Sequence, residues 1–379
     1  MKDLTESRQR IDAIDRQIVA LFEERMNVAD DVAEYKKSTG KPVYDPEREE
    51  EKLSSLSLLA HSDFNKTAVK ELFSQIMAIS RKYQYSKLSE RPAESIVWTD
   101  SFTNNGPVKA AFFGAHGTYT ERAMNDFFYE NVSGISEPSF EAVCEAVANG
   151  ISDFGVLPIE NTTSGSLADI YDLLLQYDNK IVGEKTEKID HALLGVPGSS
   201  IDDITDIYTH AQPILQCSRF LSAHPSWHAH AYGSTADSAS KVAEEKKISH
   251  AAIASMKLAK KLHLTVLAED IADYSVNATR FIVLSKKSTY LKNADTVSIC
   301  FEIPHRSGSL YNILANFIFN DLNMTGIESR PIPGKPFQYR FFVDFTGSLN
   351  DAGVMNALAG ISAESENLVI LGNYVSDRA

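Results

Sequence analysis

The chain has 379 residues, 43% hydrophobic and 23% charged, which is ordinary for a globular protein and too long for one core, so two to four domains are expected. A formal net charge of −14 argues against nucleic-acid and anionic-membrane partners, and requires any site for an anionic metabolite to gather its own Arg and Lys. No apolar run approaches the ~18 residues that span a bilayer, Met1-Lys2-Asp3 opens no signal peptide, and Cys144, Cys217 and Cys300 form no Cys-x-x-Cys, so reduced thiols and a cytoplasmic location are expected.

Residues 4–36 carry a heptad, with Leu4, Ile11, Ile14, Ile18, Leu21, Val28, Val32 and Tyr35 at a and d. This predicts one helix ~50 Å long whose stripe needs partner helices. Arg25 occupies an a position, where an unpaired charge is costly. Arg25 and Lys36 lie ~16 Å apart along the axis on nearly one face, close enough for their tips to share a small anion. Arg8 lies ~25 Å from Arg25 and ~42 Å from Lys36, so if all three serve one site, Arg8 comes from a second chain. Asp45 before Pro46 predicts a helix N-cap. A third helix is expected from about Lys66 to Lys87, with Leu72, Ile76, Ile79 and Tyr83 inward and Ser80 and Gln84 on one face.

Arg8, Arg25, Lys36, Asp45, Arg48, Glu49, Ser80 and Gln84 together resemble the binding positions of the all-α chorismate mutase domain, over residues 1–88. The resemblance implies an intertwined helical dimer that folds chorismate for its pericyclic rearrangement to prephenate. Arg8, Arg25 and Arg48 would clamp the carboxylates, and Glu49 and Asp45 would hold the ring-hydroxyl region. Lys36 and Gln84 would face the ether oxygen, with Ser80 also in the binding set. Such a reaction needs no acid or base, only positioning and stabilisation of charge on the breaking ether.

Residues 89–106 break the helical pattern and read as a linker. Short β runs then alternate with helices, as in an α/β domain. Val108–Phe113 reads as a strand ending in the turn Gly114–Glu121, whose glycines and helix N-terminus offer a weak anion-site signal. Polar turns follow at Glu160–Ser164 and Thr209–Pro213, the first with Thr163 or Ser166 expected to cap a helix Leu167–Gln176, the second with Pro213 opening a helix that carries Gln216 and Cys217. Ala229–Tyr232 and Ala251–Ala254 are weak strand signals, because alanine is a poor strand former. Asn277-Ala278-Thr279-Arg280-Phe281 leads into a buried strand, Phe281–Leu284.

Pro158–Thr162, His210-x-Gln212-Pro213, Gln216-Cys217 and Asn277-x-Thr279-Arg280-Phe281 jointly resemble the prephenate dehydratase domain, over 107–287. That resemblance implies two α/β lobes around a hinged cleft, similar to periplasmic binding proteins. Thr279 would donate to the leaving ring hydroxyl, with Asn161 and Gln216 orienting prephenate. Glu160, Thr162 and Thr209 belong to the implied binding set, and Arg280 or turn amides would hold the side-chain carboxylate. A cation on the ring carboxylate would hinder its loss as carbon dioxide, so that end of the site should be uncharged. Ala211 departs from the proline common in relatives.

From Thr296 the pattern becomes βαββαβ, a ferredoxin-like order. Gly308-Ser309-Leu310 and Glu328-Ser329-Arg330-Pro331 resemble the phenylalanine-binding motifs of the regulatory ACT domain, over 294–379, with Asn323 in the implied effector set. Ser309 stands where the family usually has alanine. His228 and His230 alternate on one strand face near His224, but nothing supplies a fixed third ligand, so no metal site is expected, and nothing implies a cofactor.

Taken together, the chain resembles the bifunctional chorismate mutase/prephenate dehydratases with a C-terminal ACT domain. This implies a homodimer or higher homo-oligomer that uses chorismate and prephenate, with L-phenylalanine as effector. The alternative is a solute-binding or regulatory protein dimerised by its helices. The set Arg8, Arg25, Lys36, Gln84 speaks against that alternative, since a dimerisation helix has no reason to bury Arg25.

Overall fold

The computed structural model describes residues 4–88, 96–103, 106–274, 276–306 and 308–378. Half of the expected linker, 89–95 with 104–105, lies outside them. The chain divides into two compact units, Met1–Ala93 with Ile299–Ile370, and Glu94–Ser298 with Leu371–Ala379.

The first unit begins with the helices Leu4–Thr39, Pro46–Ser57 and Asp63–Leu88. The first ends at Gly40, whose φ of +68° suits glycine best. Asp45 caps the second, accepting from Arg48 N, with Pro46 in the first turn. Within one chain the long helix does not bury its heptad stripe. Its buried residues are Ala29 and Ala33, while Leu4, Ile11, Ile14, Ile18, Leu21, Val28, Val32 and Tyr35 are 39–65% exposed. The third helix also departs from expectation: Leu72 is exposed, and burial concentrates at Met77–Tyr85, where even Arg81 and Lys82 are enclosed.

The same unit holds most of a βαββαβ arrangement. Strands Thr296–Glu302, Met324–Pro331, Tyr339–Thr346 and Glu366–Tyr374 alternate with helices Ser309–Phe319 and Ala352–Glu364. The second strand in sequence is the edge, followed by the third, first and fourth, the order of a ferredoxin-like sheet. The element order is the expected one.

The second unit contains two sheets. In the first, Lys180–Lys188, Ala278–Ser285, Phe154–Asn161, Val108–Phe113 and Val132–Glu137 lie side by side. Ala278–Ser285 is antiparallel to both its neighbours, and Val108–Phe113 parallel to both of its own. In the second, the order is Thr265–Ala268, His191–Gly195, His250–Ser255, Asp206–Thr209 and His228–Ala231. The alanine-rich strand His250–Ser255 is wholly buried. It works as a central strand because the helix Thr235–Glu245 packs Ala236, Ala239 and Val242 into the same core. Sequence reasoning also missed Val97–Thr99, which pairs in parallel with Thr289–Leu291, so the expected linker and the residues past 287 both contribute strands here.

Candidate functional site

In the helical unit a cationic cluster forms on the enclosed side of the long helix. Arg25 Nη1 donates to Ser80 Oγ, and Gln84 Nε2 donates to Ser80 O at 3.2 Å, one turn along the third helix. Gln84 Oε1 is buried without a partner in the described residues, an acceptor still to be satisfied. Lys36 Nζ donates to Val43 O at 2.6 Å. Burial lowers the Lys36 ammonium from its ordinary value, while Asp45 and Glu49 act the other way. Burial also lowers Arg25, opposed by Glu49. Arg25, Lys36, Glu49, Ser80 and Gln84 are thus gathered. Asp45 spends one oxygen on its cap. Arg8 and Arg48 are exposed and are not gathered with them.

Arg81 lies off the expected inward stripe, and no sequence signal marks it. Its Nη1 donates to Glu49 at 2.7 Å, its Nε donates to Glu364 at 2.9 Å, and the Tyr44 ring lies 4.9 Å away. Burial alone would lower this guanidinium, but Glu364 and Glu49 outweigh it and hold it above its ordinary value.

The second unit carries a cleft of about 880 Å³ lined from both sheets. The strands Phe154–Asn161 and Ala278–Ser285 place Thr279 opposite Asn161. Asn161 Oδ1 accepts from Thr163 N at 3.0 Å and Ser164 N at 3.1 Å. Those backbone donors fix the amide, so Asn161 Nδ2 donates to Thr279 Oγ1 at 2.9 Å. Thr279 accepts there and keeps its own proton to donate.

The same logic extends outward. Thr163 Oγ1 donates to Asn161 Oδ1 at 2.6 Å and so accepts from Gln216 Nε2 at 2.7 Å. Gln216 Oε1 then faces His191 Nε2 at 2.8 Å, which puts the imidazole proton on Nε2. Burial lowers the His191 pKa, against the Gln216 hydrogen bond, and favours the neutral ring. His191 was not anticipated; a lone histidine before an apolar strand gives no signal.

Thr279, Asn161 and Gln216 line the cleft, with Thr118, Ser164, His191, His210 and Ser234. Four other candidates do not line it. Arg280 alternates to the opposite side of its strand from Thr279 and Phe281 and binds Glu184 at 2.9 Å. Glu160 is half exposed, 3.3 Å from Arg280. Thr209 is fully buried, donating to Ile253 O at 2.8 Å. Thr162 accepts from Ala278 N at the surface.

No lysine or arginine is among the described residues lining this cleft, contrary to the expectation of local cations. The turn at Gly114–Glu121 is no open anion cradle, because Gly117 N donates to the Glu121 carboxylate. Neither Thr163 nor Ser166 caps the helix expected at Leu167–Gln176, which runs Ala168–Tyr177 with Leu167 as cap and no side-chain bond. Pro213 sits third, not first, in Ala211–Gln216, and His210 caps it.

In the βαββαβ region a cavity of about 530 Å³ is lined by Gly308, Ser309 and Leu310 with Phe337, Tyr339 and Phe341. Asn323, Glu328, Ser329 and Arg330 lie outside that lining; Glu328 and Arg330 pair with Phe342 and Arg340 across the sheet. The three cysteines are free and buried, with burial pushing Cys144 up to about 11 and Cys217 to about 12. Among the described residues, no helix is long and apolar enough to cross a membrane, and no cluster of three or more His, Cys, Asp or Glu is placed to hold a metal.

A chorismate mutase type II family model matches residues 7–85, and a prephenate dehydratase model matches 110–289. The bifunctional chorismate mutase/prephenate dehydratase of Enterobacter agglomerans is 31% identical over 378 residues, covering 98% of this chain and 95% of that protein. Among solved structures, the prephenate dehydratase of Arthrobacter aurescens in complex with L-Phe superposes with a TM-score of 0.65 at 31% identity, over 71% of this chain and 90% of its own. A structure described as GqqA, a novel type of quorum quenching acylase, gives a TM-score of 0.65 at 28% identity, over 71% of this chain and 98% of its own. The chain therefore belongs to the bifunctional chorismate mutase/prephenate dehydratase family.

Proposed function

We propose that the helical cluster rearranges chorismate to prephenate, that the cleft of the second unit converts prephenate to phenylpyruvate, and that the βαββαβ region is an ACT domain binding L-phenylalanine. The observation that carries the reading is Thr279. Its oxygen accepts from Asn161, which leaves its proton to donate to the departing ring hydroxyl. Donation there stabilises the departing oxygen as the ring carboxylate leaves as carbon dioxide, and aromatisation drives both. The absence of lysine and arginine among the described lining residues suits this step, because a cation would hold the carboxylate in place. With Arg280 turned away, the Thr118 hydroxyl, which accepts from Glu121 N and keeps its own proton, holds the side-chain carboxylate.

At the helical cluster, Arg25 and Lys36 bind the diacid and Gln84 faces the ether oxygen. Arg8 and Arg48 reach the site only from a second chain or after rearrangement. The exposed heptad stripe supports a second copy, since eight apolar positions on one face of a 36-residue helix demand a cover. The aromatic wall Phe337, Tyr339 and Phe341 beside the Gly308 turn suits a phenylalanine side chain. A turnover assay with chorismate, following prephenate and then phenylpyruvate, tests the reading. Thr279→Val should stop the pathway at prephenate, and Arg25→Ala should stop it before prephenate. Phenylpyruvate formation at the normal rate by either variant contradicts the assignment.

A further inference from the structure

The strand carrying Thr279 is held from behind by a buried carboxylate. Glu184 has no exposed side-chain surface, and one of its oxygens receives Arg280 Nη1 at 2.9 Å. The other oxygen belongs to the end of the chain, accepting from Ser376 Oγ and Asp377 N at 3.1 Å each. Arg378 Nε stands 3.9 Å from the carboxylate. Asp377 in turn accepts from Thr186 N at 2.8 Å and pairs with Lys185 at 3.0 Å, beside Glu184 on the strand Lys180–Lys188.

We propose that Ser376–Arg378 is a positioning element of the dehydratase site, fixing Arg280, and with it the strand of Thr279, through Glu184. The inference rests on Thr279 as the dehydratase donor. An ionised carboxylate shut away from water is tolerated only with its donors in place. Without the terminus, one oxygen loses both its hydrogen-bond donors, and the Arg280 guanidinium, which also stands 3.3 Å from Glu160, redistributes between two carboxylates. Thr279 is the next residue, and small misplacements of reacting groups are expensive in rate. The terminus is delivered without slack: Gly372 pairs with Ile181, and a Cβ on Gly372 would lie 2.0 Å from Ile181 O, so the approach admits no side chain.

The test uses the full enzyme, a chain ending at Val375, the single variants Ser376→Ala and Ser376→Thr, and Glu184→Gln alone and combined with the truncation. Truncation should lower dehydratase kcat by roughly 10–100-fold, the range for a small displacement at the reacting centre, while mutase turnover stays unchanged. Ser376→Thr keeps the hydroxyl and should behave as wild type, with the loss confined to Ser376→Ala. Truncation in the Glu184→Gln background should cost much less than in wild type, since both act on one pair. Full dehydratase activity in the truncated chain, or losses that simply multiply, overturns the proposal. Should the truncated chain fail to fold, the Ser376 pair decides it, equal activities overturning the role. Thr279→Val reports separately on the cleft: its inactivity beside an unaffected truncation sinks the positioning role alone.

Discussion

In the helical region charged side chains gather inside and the apolar stripe is left outside; in the cleft of the second unit the arrangement reverses. Arg25, Lys36, Gln84, Arg81 and Glu49 are drawn together while Leu4 to Tyr35 of the heptad face solvent. The cleft instead brings hydroxyls, amides and aromatic walls together with no lysine or arginine among its described lining residues. The contrast follows from the two reactions. Charge on a breaking ether and two carboxylates calls for fixed cations, whereas loss of a carboxylate calls for their exclusion. The contrast also bears on assembly, because the cleft's network from Thr279 to His191 forms within one chain and the mutase cluster lacks Arg8.

The largest effect that would break this comparison is at Thr279. Thr279→Val keeps the shape and removes the proton, so dehydratase turnover should fall by ~10²–10⁴-fold with mutase turnover unchanged; assays of both steps on one preparation check it. Next, Arg25→Ala should lower mutase kcat/KM by ~10²–10³-fold, the usual cost of one preorganised donor, and leave dehydration of added prephenate intact. Equal loss of both activities would show that the sites are not independent.

A smaller effect is expected at Gly308, which has φ +82° at the start of its helix, with nothing within 4 Å of an added Cβ. Gly308→Ala therefore strains only the backbone, by about 1–2 kcal/mol, and where that strain is relieved in the free chain and restored on binding, the phenylalanine concentration for half-inhibition rises by up to ~5–30-fold. An unchanged inhibition curve would place the effector elsewhere.

The smallest effect is on stability and pH. Burial depresses His191 below its unfolded value near 6.5, so the folded state binds fewer protons and the neutral ring's contribution is complete above that pH. Stability of the second unit should fall as pH drops from about 6.5 toward the depressed value. His191→Gln should flatten that dependence in denaturant titrations between pH 7.5 and 5; an identical slope in the variant argues that other groups carry it.

Much of this was legible in the sequence because the signals were local. The Asp45-Pro46 cap, the strand at Phe281–Leu284 and the βαββαβ order are written in neighbouring residues, and the structure has each. Long-range electrostatics was not legible. Arg280 looked like a substrate cation beside Thr279, yet strand alternation sends it to Glu184, 96 residues away. Arg81 lies off the apolar stripe, and the carboxylates that let it be buried, Glu49 and Glu364, are 32 and 283 residues away. The terminus on Glu184 also changes how the effector region is tested. Deleting 294–379 would strip donors from a buried carboxylate of the dehydratase unit, so point variants at Gly308 are the cleaner probe.

The central claim is that the mutase site needs two chains while the dehydratase cleft needs one. Inactive Arg8→Ala and Arg25→Ala chains, mixed under conditions of verified subunit exchange, test it most directly. Hybrid dimers should regain mutase turnover at the one site that holds both arginines, while dehydratase activity per chain stays constant throughout. No recovery of mutase activity after exchange would contradict the account.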